Sequence, residues 1–293
     1  MRFVLTLIAA APDCRLPGVA AAVWAALEGA TGPVWLASTE ACDIFVMAPS
    51  PDTIERIARN IVGDERIDVL LQPVTGRRKR LLVADLESTI IENEMLDELG
   101  AILGIGSPIA EITWRAMNGE IDFAEALAAR VGLLAGTETR VLAETAARIR
   151  LTPGAKSLVA TMRANGATTA LVTGGFTIFA DHIAAKLGFD RVVANRLEIA
   201  EGRLTGRVLP PIITGETKRQ TLLALARELG IAPTATLAVG DGANDLAMLD
   251  AAGLGVAFHA KPAVAATARA RFNHTDLTSL LYAQGYRKVD FAA

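Results

Sequence analysis

From residue 81 onward, apolar runs alternate with helical segments, and this alternation constrains the fold more than any other feature of the sequence. The runs are LLVAD (81–85), TTALVT (168–173), TLAVGD (236–241) and GLGVAF (253–258). Continuous apolar strands flanked by helices are typical of a parallel sheet that is covered on both faces. The sequence therefore predicts an α/β core that begins at residue 81.

Two segments interrupt the alternation. Residues 93–150 contain helical segments only, and this stretch is too long for a simple crossover between two strands. We therefore expect a helical cap at about 93–150, inserted after the first core strand. Residues 192–209 are predicted to form a β-hairpin with Glu201 and Gly202 at its turn.

Residues 1–75 show a different pattern, in which the predicted elements follow the order β-α-β-β-α-β. This order is typical of a small ferredoxin-like α+β domain. The first ten residues, MRFVLTLIAA, are interpreted as a buried strand in preference to a signal peptide, because the apolar run is short. GRRKR at 76–80 is predicted to be a polar linker, a solvated hinge before a second domain over 81–293.

The composition excludes several classes of protein. The chain has 293 residues, 52% hydrophobic and 21% charged, which is enough apolar material for two folded domains. The net charge of −3 gives no argument for nucleic acid or an anionic membrane as a partner. No apolar run reaches the roughly 18 residues of a membrane span. Two cysteines without a C-x-x-C motif favour a cytoplasmic protein.

Polar side chains end three of the predicted strands: Asp85, Thr173 and Asp241. Each of them taken alone is more simply explained as a helix cap or a turn residue. Neighbouring parallel strands would bring all three to one carboxyl edge, where open α/β sheets bind their ligands. The three together therefore predict a site at this edge.

These residue types suit phosphoryl transfer. A carboxylate such as Asp85 can attack a phosphoryl group and divide one difficult displacement into two easier ones. GDGAND at 240–245 adds carboxylates that suit Mg²⁺, and VTGGFT at 172–177 offers backbone amides that can hold a phosphate. Lys218 could neutralise the remaining charge, although a single lysine on a helix is more often solvated.

The motifs carry a resemblance to a known family. DLEST at 85–89, TGGF at 173–176, Lys218 and GDGAND at 240–245 resemble the four ordered motifs of the haloacid dehalogenase-type phosphatases. IIENEMLDELG and MNGEIDFAEALAARVGLL resemble segments of the phosphoserine phosphatases within that family. The resemblance covers about 81–285, and the amino-terminal unit resembles the ACT-like extension of some members.

The resemblance implies a Rossmann-like core with a helical cap and a Mg²⁺-dependent activity. O-phosphoserine would be hydrolysed to serine and phosphate through an aspartyl phosphate, as the last step of serine biosynthesis. Asp85 would be the nucleophile and a Mg²⁺ ligand, with the backbone carbonyl of Glu87 and the Asp241 carboxylate as further ligands. Asp245 would support the metal site from close by.

The resemblance also implies the residues that would hold the substrate. Those for the phosphoryl group would be Thr173, Gly174 and Lys218, with Asn244 near it. Glu94 would pair with the substrate ammonium, and Arg130 would clamp its carboxylate. Met117 and Phe123 would shield the site from water. The spacing of Glu94 and Arg130 alone favours surface ion pairs or helix-face charges.

Glu87 departs from the family pattern, which has aspartate at this position. The residue would protonate the departing serine oxygen and then deprotonate the attacking water. One extra methylene moves the carboxyl by about 1.5 Å, and a misplacement of about 1 Å can cost roughly a hundredfold in rate. Thr173 departs more mildly, because it replaces the commoner serine and keeps the hydroxyl.

Three outcomes of the glutamate stay open. The site is shifted to accommodate it in an ordinary phosphatase, or slow hydrolysis lets the protein transfer phosphate or use another ester, or the chain is a weakened enzyme kept for ligand sensing. A rival of another class is a non-catalytic amino-acid sensor built on the amino-terminal unit. If the length of Glu87 impairs the water step, Glu87→Asp speeds hydrolysis, whereas an unchanged or slower rate means a pocket built around glutamate. The amino-terminal unit is expected to bind serine as a feedback signal or to pair in a homodimer.

Overall fold

The computed structural model describes residues 2–47, 51–117 and 120–292, and the side chain of Met117 lies outside the described part. Two sheets organise these residues, one of four strands and one of seven. None of the helices in the described part of the chain is long and apolar enough to cross a lipid bilayer.

The amino-terminal residues form an antiparallel sheet with two helices. Its elements are β1 (Arg2–Ala9), α1 (Leu16–Ala26), β2 (Val34–Ala37), β3 (Ala41–Met47), α2 (Pro51–Val62) and β4 (Ile67–Pro73). The strand order is β2-β3-β1-β4, which confirms the ferredoxin-like α+β prediction. Strand β1 is buried from Phe3 to Ala9, because α1 and α2 cover one of its faces and the second sheet's domain covers the other. This double burial explains why residues 3–9 are apolar except for Thr6, whose hydroxyl donates to Asp43 at 2.8 Å.

The predicted helical cap follows the first core strand. Strand β5 (Leu81–Ala84) leads through a wide turn into α3 (Met95–Leu103), α4 (Gly106–Met117), α5 (Phe123–Gly132) and α6 (Arg140–Ala146). Asp122 starts α5 as its N-cap, since its carboxylate accepts a hydrogen bond of 2.8 Å from the Glu125 amide. The described residues of this segment contain no strand, as the sequence predicts.

The remaining elements complete the core sheet. They are α7 (Ala155–Ala164), β6 (Thr168–Phe176), α8 (Thr177–Leu187), β7 (Arg191–Ala200), β8 (Arg203–Leu209), α9 (Gly215–Glu228), β9 (Thr236–Gly240), α10 (Leu246–Ala251), β10 (Leu254–Phe258), α11 (Pro262–Thr267), β11 (Ala270–Phe272) and α12 (Ser279–Ala283). The strand order is β11-β10-β9-β5-β6-β7-β8, with every pair parallel except β7 and β8.

Both faces of the sheet are covered, which confirms the α/β prediction. Leu82 and Ala84 point to the side of α7, α8 and α12, whereas Leu81 and Val83 point to the side of α9, α10 and α11. All four residues are fully buried. A strand that is buried on both faces needs an uninterrupted apolar sequence, which is what LLVA provides.

The predicted hairpin is formed by β7 and β8. Its turn residues Glu201 and Gly202 both have positive φ, 50° and 74°, as the two central residues of a type I′ hairpin turn require. Arg203 donates to the Gly136 carbonyl at 2.8 Å and to the Glu138 carboxylate at 2.7 Å, so the hairpin also supports the base of the cap.

The segment at 76–80 does not behave as the solvated hinge that the sequence predicts. The side chain of Arg77 is only 10% exposed and forms an ion pair of 2.6 Å with buried Asp43. It also donates to the carbonyls of Tyr282 and Ala283. Lys79 is buried as well and donates to the Thr234 carbonyl at 2.9 Å. Arg77 therefore fastens the amino-terminal sheet to the core, and Lys79 fixes the linker itself to the core.

Candidate active site

Three neighbouring strands end at one edge of the core sheet with the polar side chains that the sequence singles out. Asp85 follows β5, Asp241 follows β9 and Thr173 lies near the end of β6, and these strands are adjacent in the order β9-β5-β6. The Asp85 amide donates to the Val239 carbonyl at 3.0 Å and so extends the pairing to the edge. The three side chains therefore come together where open α/β sheets bind ligands.

An acidic cluster occupies this edge. Carboxylate oxygens of Asp85, Asp241 and Asp245 lie within 4.8 Å of one another, and all three residues are buried. Burial, with the Asp85 charge as the next cause, raises the pKa of Asp241 to about 6 and also raises the pKa of Asp245. Glycine at 240 makes the cluster possible, because a β-carbon there would overlap the Asp245 carboxylate.

Lys218 supplies a buried positive charge to this cluster. It is fully buried, and its Nζ lies 2.8 Å from Asp85 Oδ1 and 2.7 Å from Asp245 Oδ1. Burial alone would lower the pKa of Lys218, but the two carboxylates outweigh it and the pKa is raised. The alternative of a solvated lysine on a helix face is therefore wrong.

The donor set fits a divalent cation. Three buried carboxylates lie together, and Lys218 is in ion-pair contact with two of them, Asp85 and Asp245. Both oxygens of Asp245 already accept hydrogen bonds, from Lys218 Nζ and from the Gly242 amide at 3.1 Å. Asp241 accepts only one long bond of 3.4 Å, from Thr89, among the described residues. Oxygen ligands of this kind suit Mg²⁺.

The turn after Asp85 has an unusual backbone. Asp85 and Glu87 are extended, whereas Ser88 has φ 52° and ψ 11°, a left-handed conformation that few non-glycine residues adopt. The Leu86 amide donates to Asp85 Oδ1 at 2.8 Å. Lys218 lies against the same oxygen, whereas Asp85 Oδ2 accepts no hydrogen bond from another described residue.

The last residues of β6, 173–176, form the segment that the sequence predicts to be a phosphate cradle. Thr173 is 1% exposed, and its hydroxyl accepts a hydrogen bond of 2.9 Å from the Gly175 amide. The Gly174 carbonyl accepts a bond of 2.7 Å from Asn195, whose side-chain oxygen accepts 2.8 Å from the Ile213 amide. Helix α8 begins directly after this segment, so the free amides of its first turn lie next to the predicted phosphate cradle.

Asn244 lies in the turn between β9 and α10, next to Asp245 in the sequence. It is half-buried, and a β-carbon added to Gly242 would overlap its side-chain oxygen. A β-carbon added to Gly215, at the start of α9, would lie 2.7 Å from the Asn244 carbonyl oxygen. The turn that carries Asn244 is thus packed against the helix that carries Lys218.

The cap brings two charged side chains, Glu94 and Arg130, close to Asp85 and Glu87. Glu94 accepts a hydrogen bond of 2.7 Å from the Ser88 hydroxyl. Arg130 is half-buried and donates to the Ala126 carbonyl at 3.3 Å. Burial lowers the pKa of Arg130, while the charges of Asp97, Glu87 and Glu94 oppose that shift. Arg130 forms no ion pair with another described residue, so its guanidinium is available to a ligand carboxylate.

Phe123 covers the phosphate cradle from the cap side. The residue is 40% exposed, yet a β-carbon added to Gly174 would lie only 3.4 Å from its ring. The side chain of Met117, the second residue expected to shield the site, lies outside the described residues.

Glu87 turns its carboxyl toward the cap. Its Oε1 accepts a hydrogen bond of 2.8 Å from the Met95 amide, at the first residue of α3. Burial raises the pKa of Glu87, and the charges of Glu94 and Asp85 add to this effect. The extra methylene of glutamate is thus used to reach the amino terminus of α3.

The comparisons with known proteins agree with this geometry. A family model of haloacid dehalogenase-like hydrolases matches residues 82–250. The chain belongs to the haloacid dehalogenase-like hydrolases. This family member is 46% identical to the phosphoserine phosphatase of Idiomarina loihiensis, over 69% of this chain and 91% of that one.

Two solved structures resemble this hydrolase over nearly its whole length. A haloacid dehalogenase family hydrolase from Salmonella enterica serovar Typhi has a TM-score of 0.86 at 29% identity, covering 96% of this chain and 97% of that chain. A probable phosphoserine phosphatase from Vibrio cholerae, in unliganded form, has a TM-score of 0.79 at 30% identity, with 99% and 88% covered. The chain spans 55–64% of the length of five further curated relatives.

Sequence reasoning missed three residues of the hydrolase site. Asn195 fixes the Gly174 carbonyl, and its only signal is an amide that directly follows the short apolar run at 192–194. Ser88 orients Glu94, and nothing in its motif indicates this partner. Lys261 is exposed three residues after β10, and its charge opposes the rise in the pKa of Glu94 and of Asp241. A search for charged residues in the turns that follow the core strands would have included Lys261.

Proposed function

We propose that this hydrolase is a phosphoserine phosphatase that acts through an aspartyl phosphate on Asp85. One observation carries the proposal: a buried carboxylate with a free oxygen, Asp85, lies beside Lys218, and the charges of Glu94 and Arg130 lie close enough to Asp85 and Glu87 to interact with them. O-phosphoserine has an anionic phosphate, an ammonium and a carboxylate, so it needs a phosphate cradle, an acid and a base. The names of the relatives support the same substrate.

In the first step, Asp85 Oδ2 forms a bond to phosphorus as the bond from phosphorus to the serine oxygen breaks. Glu87 gives its proton to that departing oxygen. In the second step, Glu87 takes a proton from a water molecule, whose oxygen bonds to phosphorus as the acyl phosphate bond breaks. Inorganic phosphate leaves, and Asp85 is regenerated as a carboxylate. Splitting the displacement in this way is the advantage of a covalent intermediate.

The other residues hold the substrate and balance charge. The Gly174 amide, the Thr173 hydroxyl and Lys218 would bind the phosphoryl oxygens, with Asn244 close to them. Mg²⁺, held by Asp85, Asp241 and the Glu87 carbonyl, would offset the charge of the phosphoryl group. Asp245 would hold Lys218 in place, as its bond of 2.7 Å supports.

Glu94 and Arg130 would select the amino acid part of the substrate. Arg130 presents a planar fork that matches a carboxylate, and Glu94 presents a carboxylate for the ammonium. Phe123, and Met117 in the same role, would limit the access of water. Mg²⁺ as the metal, a cytoplasmic location, serine binding by the amino-terminal unit and a homodimer all stay predictions.

A panel of phosphate esters tests the proposal. We expect O-phosphoserine with Mg²⁺ to release phosphate faster than glycerol phosphate or p-nitrophenyl phosphate, and EDTA to stop the release. Asp85→Asn should abolish turnover of every ester while urea unfolding shows an intact fold. Failure with O-phosphoserine, together with good turnover of another ester, would refute this substrate. Phosphate transfer to added glycerol in preference to water would favour a phosphotransferase instead.

A further inference from the structure

The glutamate at position 87 lies in a pocket formed by the Met95 amide on one side and Gly175 on the other. We propose that this acid pocket is built for glutamate, and that Met95 and Gly175 are positioning residues for proton transfer by Glu87. The inference rests on the proposed function, because it assigns Glu87 to the leaving oxygen and the water.

The Met95 amide sets how far the acid must reach. Met95 is the first residue of α3, where helix amides have no carbonyl partner inside the helix, and it donates to Glu87 Oε1 at 2.8 Å. An aspartate on the same backbone would withdraw its carboxyl by about 1.5 Å, which leaves a gap of roughly 4 Å, beyond a hydrogen bond. The amide thus selects the longer acid.

Gly175 provides the space for the second carboxyl oxygen. A β-carbon at this position would lie 2.8 Å from Glu87 Oε2 and 3.1 Å from its Cδ. The backbone of Gly175 does not have the positive φ at which glycine is required for conformation. The absence of a side chain at 175 therefore leaves the room that Glu87 occupies, and the next nearest atom to such a β-carbon is the Thr173 hydroxyl oxygen, at 3.3 Å.

The pocket also joins the acid to both parts of the site. Met95 belongs to the cap, whereas Gly175 belongs to the phosphate cradle of the core. The carboxyl is consequently held between the part that selects the amino acid and the part that binds phosphate. The bond from Ser88 to Glu94 at 2.7 Å ties the same turn to the same end of α3.

A double-variant comparison tests the role of Gly175. Gly175→Ala and Glu87→Asp are made singly and together, and phosphate release is measured for O-phosphoserine and for p-nitrophenyl phosphate. The nitrophenolate leaves without much help from an acid, so displacement of the acid should reduce turnover of O-phosphoserine more. We expect Gly175→Ala to lower kcat for O-phosphoserine by at least about tenfold in the native background. With Glu87→Asp already present, the same change should cost less than about threefold, because the overlap with Oε2 is gone.

A second pair of variants tests the Met95 amide. Met95→Pro removes the donor at the first helical position, where proline is well tolerated, and Glu94 before it is already extended. Met95→Ala removes the buried side chain but keeps the donor, so it is the matched control. Met95→Pro should lower kcat for O-phosphoserine several-fold below Met95→Ala, with a smaller difference for p-nitrophenyl phosphate.

The outcomes separate this inference from the proposed function. If the native protein turns over p-nitrophenyl phosphate but not O-phosphoserine, the substrate is wrong, and the comparison is then made with another alkyl phosphate. Urea unfolding of the four Gly175 and Glu87 forms adds a readout without activity, with Gly132→Ala as a glycine control that meets no neighbour. Equal losses from Gly175→Ala in both backgrounds, or equal kcat for Met95→Pro and Met95→Ala, would overturn the inference. If Gly175→Ala does not fold in either background, the Met95 pair decides.

Discussion

Removing the charge of Lys218 should destabilise this protein strongly. Lys218→Met keeps a long side chain in the same space but removes the ammonium that lies between Asp85 and Asp245. Both carboxylates are buried and would lose their shared partner. The change thus leaves two uncompensated charges close together in the interior, which is one of the few substitutions that cost several kcal/mol.

The two distances give the size of the effect. At 2.8 and 2.7 Å, each ion pair is worth about 6 kcal/mol of gross attraction at an effective dielectric constant of about 20. The desolvation of Lys218, which the variant no longer suffers, offsets much of this gain. Removal of one partner from a buried ion pair costs about 3–5 kcal/mol in net terms, and we expect a loss of unfolding free energy in that range.

The loss should depend on pH in a definite direction. Burial and the Asp85 charge already raise the pKa of Asp245 when Lys218 is present, and removal of the lysine raises it further. The folded form then holds a proton that the unfolded form releases at about pH 4. Between these two pKa values, stability falls as pH rises, because the folded state binds more protons. The variant should therefore be closest to the native protein at acidic pH.

Urea unfolding in EDTA at pH 5.5 and pH 8.0 measures the loss of unfolding free energy and its dependence on pH. Lys156→Met, an exposed lysine on α7, is the matched control and should change the unfolding free energy by less than about 0.5 kcal/mol. A loss below about 1 kcal/mol for Lys218→Met, or an equal loss at both pH values, would refute the reasoning.

Three further predictions concern the metal, the substrate and the amino-terminal sheet. Because the pKa of Asp241 is raised to about 6, protons should compete with Mg²⁺ below that pH, and calorimetric titration should give weaker binding at pH 5.5 than at pH 7.5. Arg130→Lys should raise KM for O-phosphoserine by about tenfold or more through loss of the two-pronged contact, with no change for p-nitrophenyl phosphate. Arg77→Met should lower the unfolding free energy by about 3–5 kcal/mol, since buried Asp43 loses its partner, whereas exposed Arg80→Met should have little effect in the same urea titration.

The position of the site could be predicted from sequence because it follows from the sheet. Asp85, Thr173 and Asp241 end apolar runs, and parallel strands bring such ends to one edge whatever their separation along the chain. The cap could be predicted from an absence, since 93–150 shows no strand pattern. The hairpin at Glu201 and Gly202 follows from a local turn rule. Each of these inferences depends on one period or one turn, not on distant partners.

Whether an individual charged side chain is buried or exposed could not be predicted in the same way. Lys218 and Arg77 both lie in polar stretches, and both are buried because carboxylates from remote parts of the chain meet them. A charged side chain is buried only where a partner compensates it, and sequence spacing does not identify that partner. This is why 76–80 looks like a solvated hinge, while the structure uses Arg77 to hold the amino-terminal sheet against α12.

Glu87 is a further case in which the sequence gives the chemistry of a side chain but not its contacts. The sequence gives the length of the Glu87 side chain but not the direction in which it points. From the sequence alone, the longer acid could equally have extended into the phosphoryl site. The bond of 2.8 Å to the Met95 amide and the open side of Gly175 turn the added length toward α3 instead. Of the three outcomes that the sequence leaves open, this geometry favours a site adapted to glutamate. Shortening the acid by Glu87→Asp is therefore expected to slow hydrolysis, because the carboxyl loses the amide that positions it.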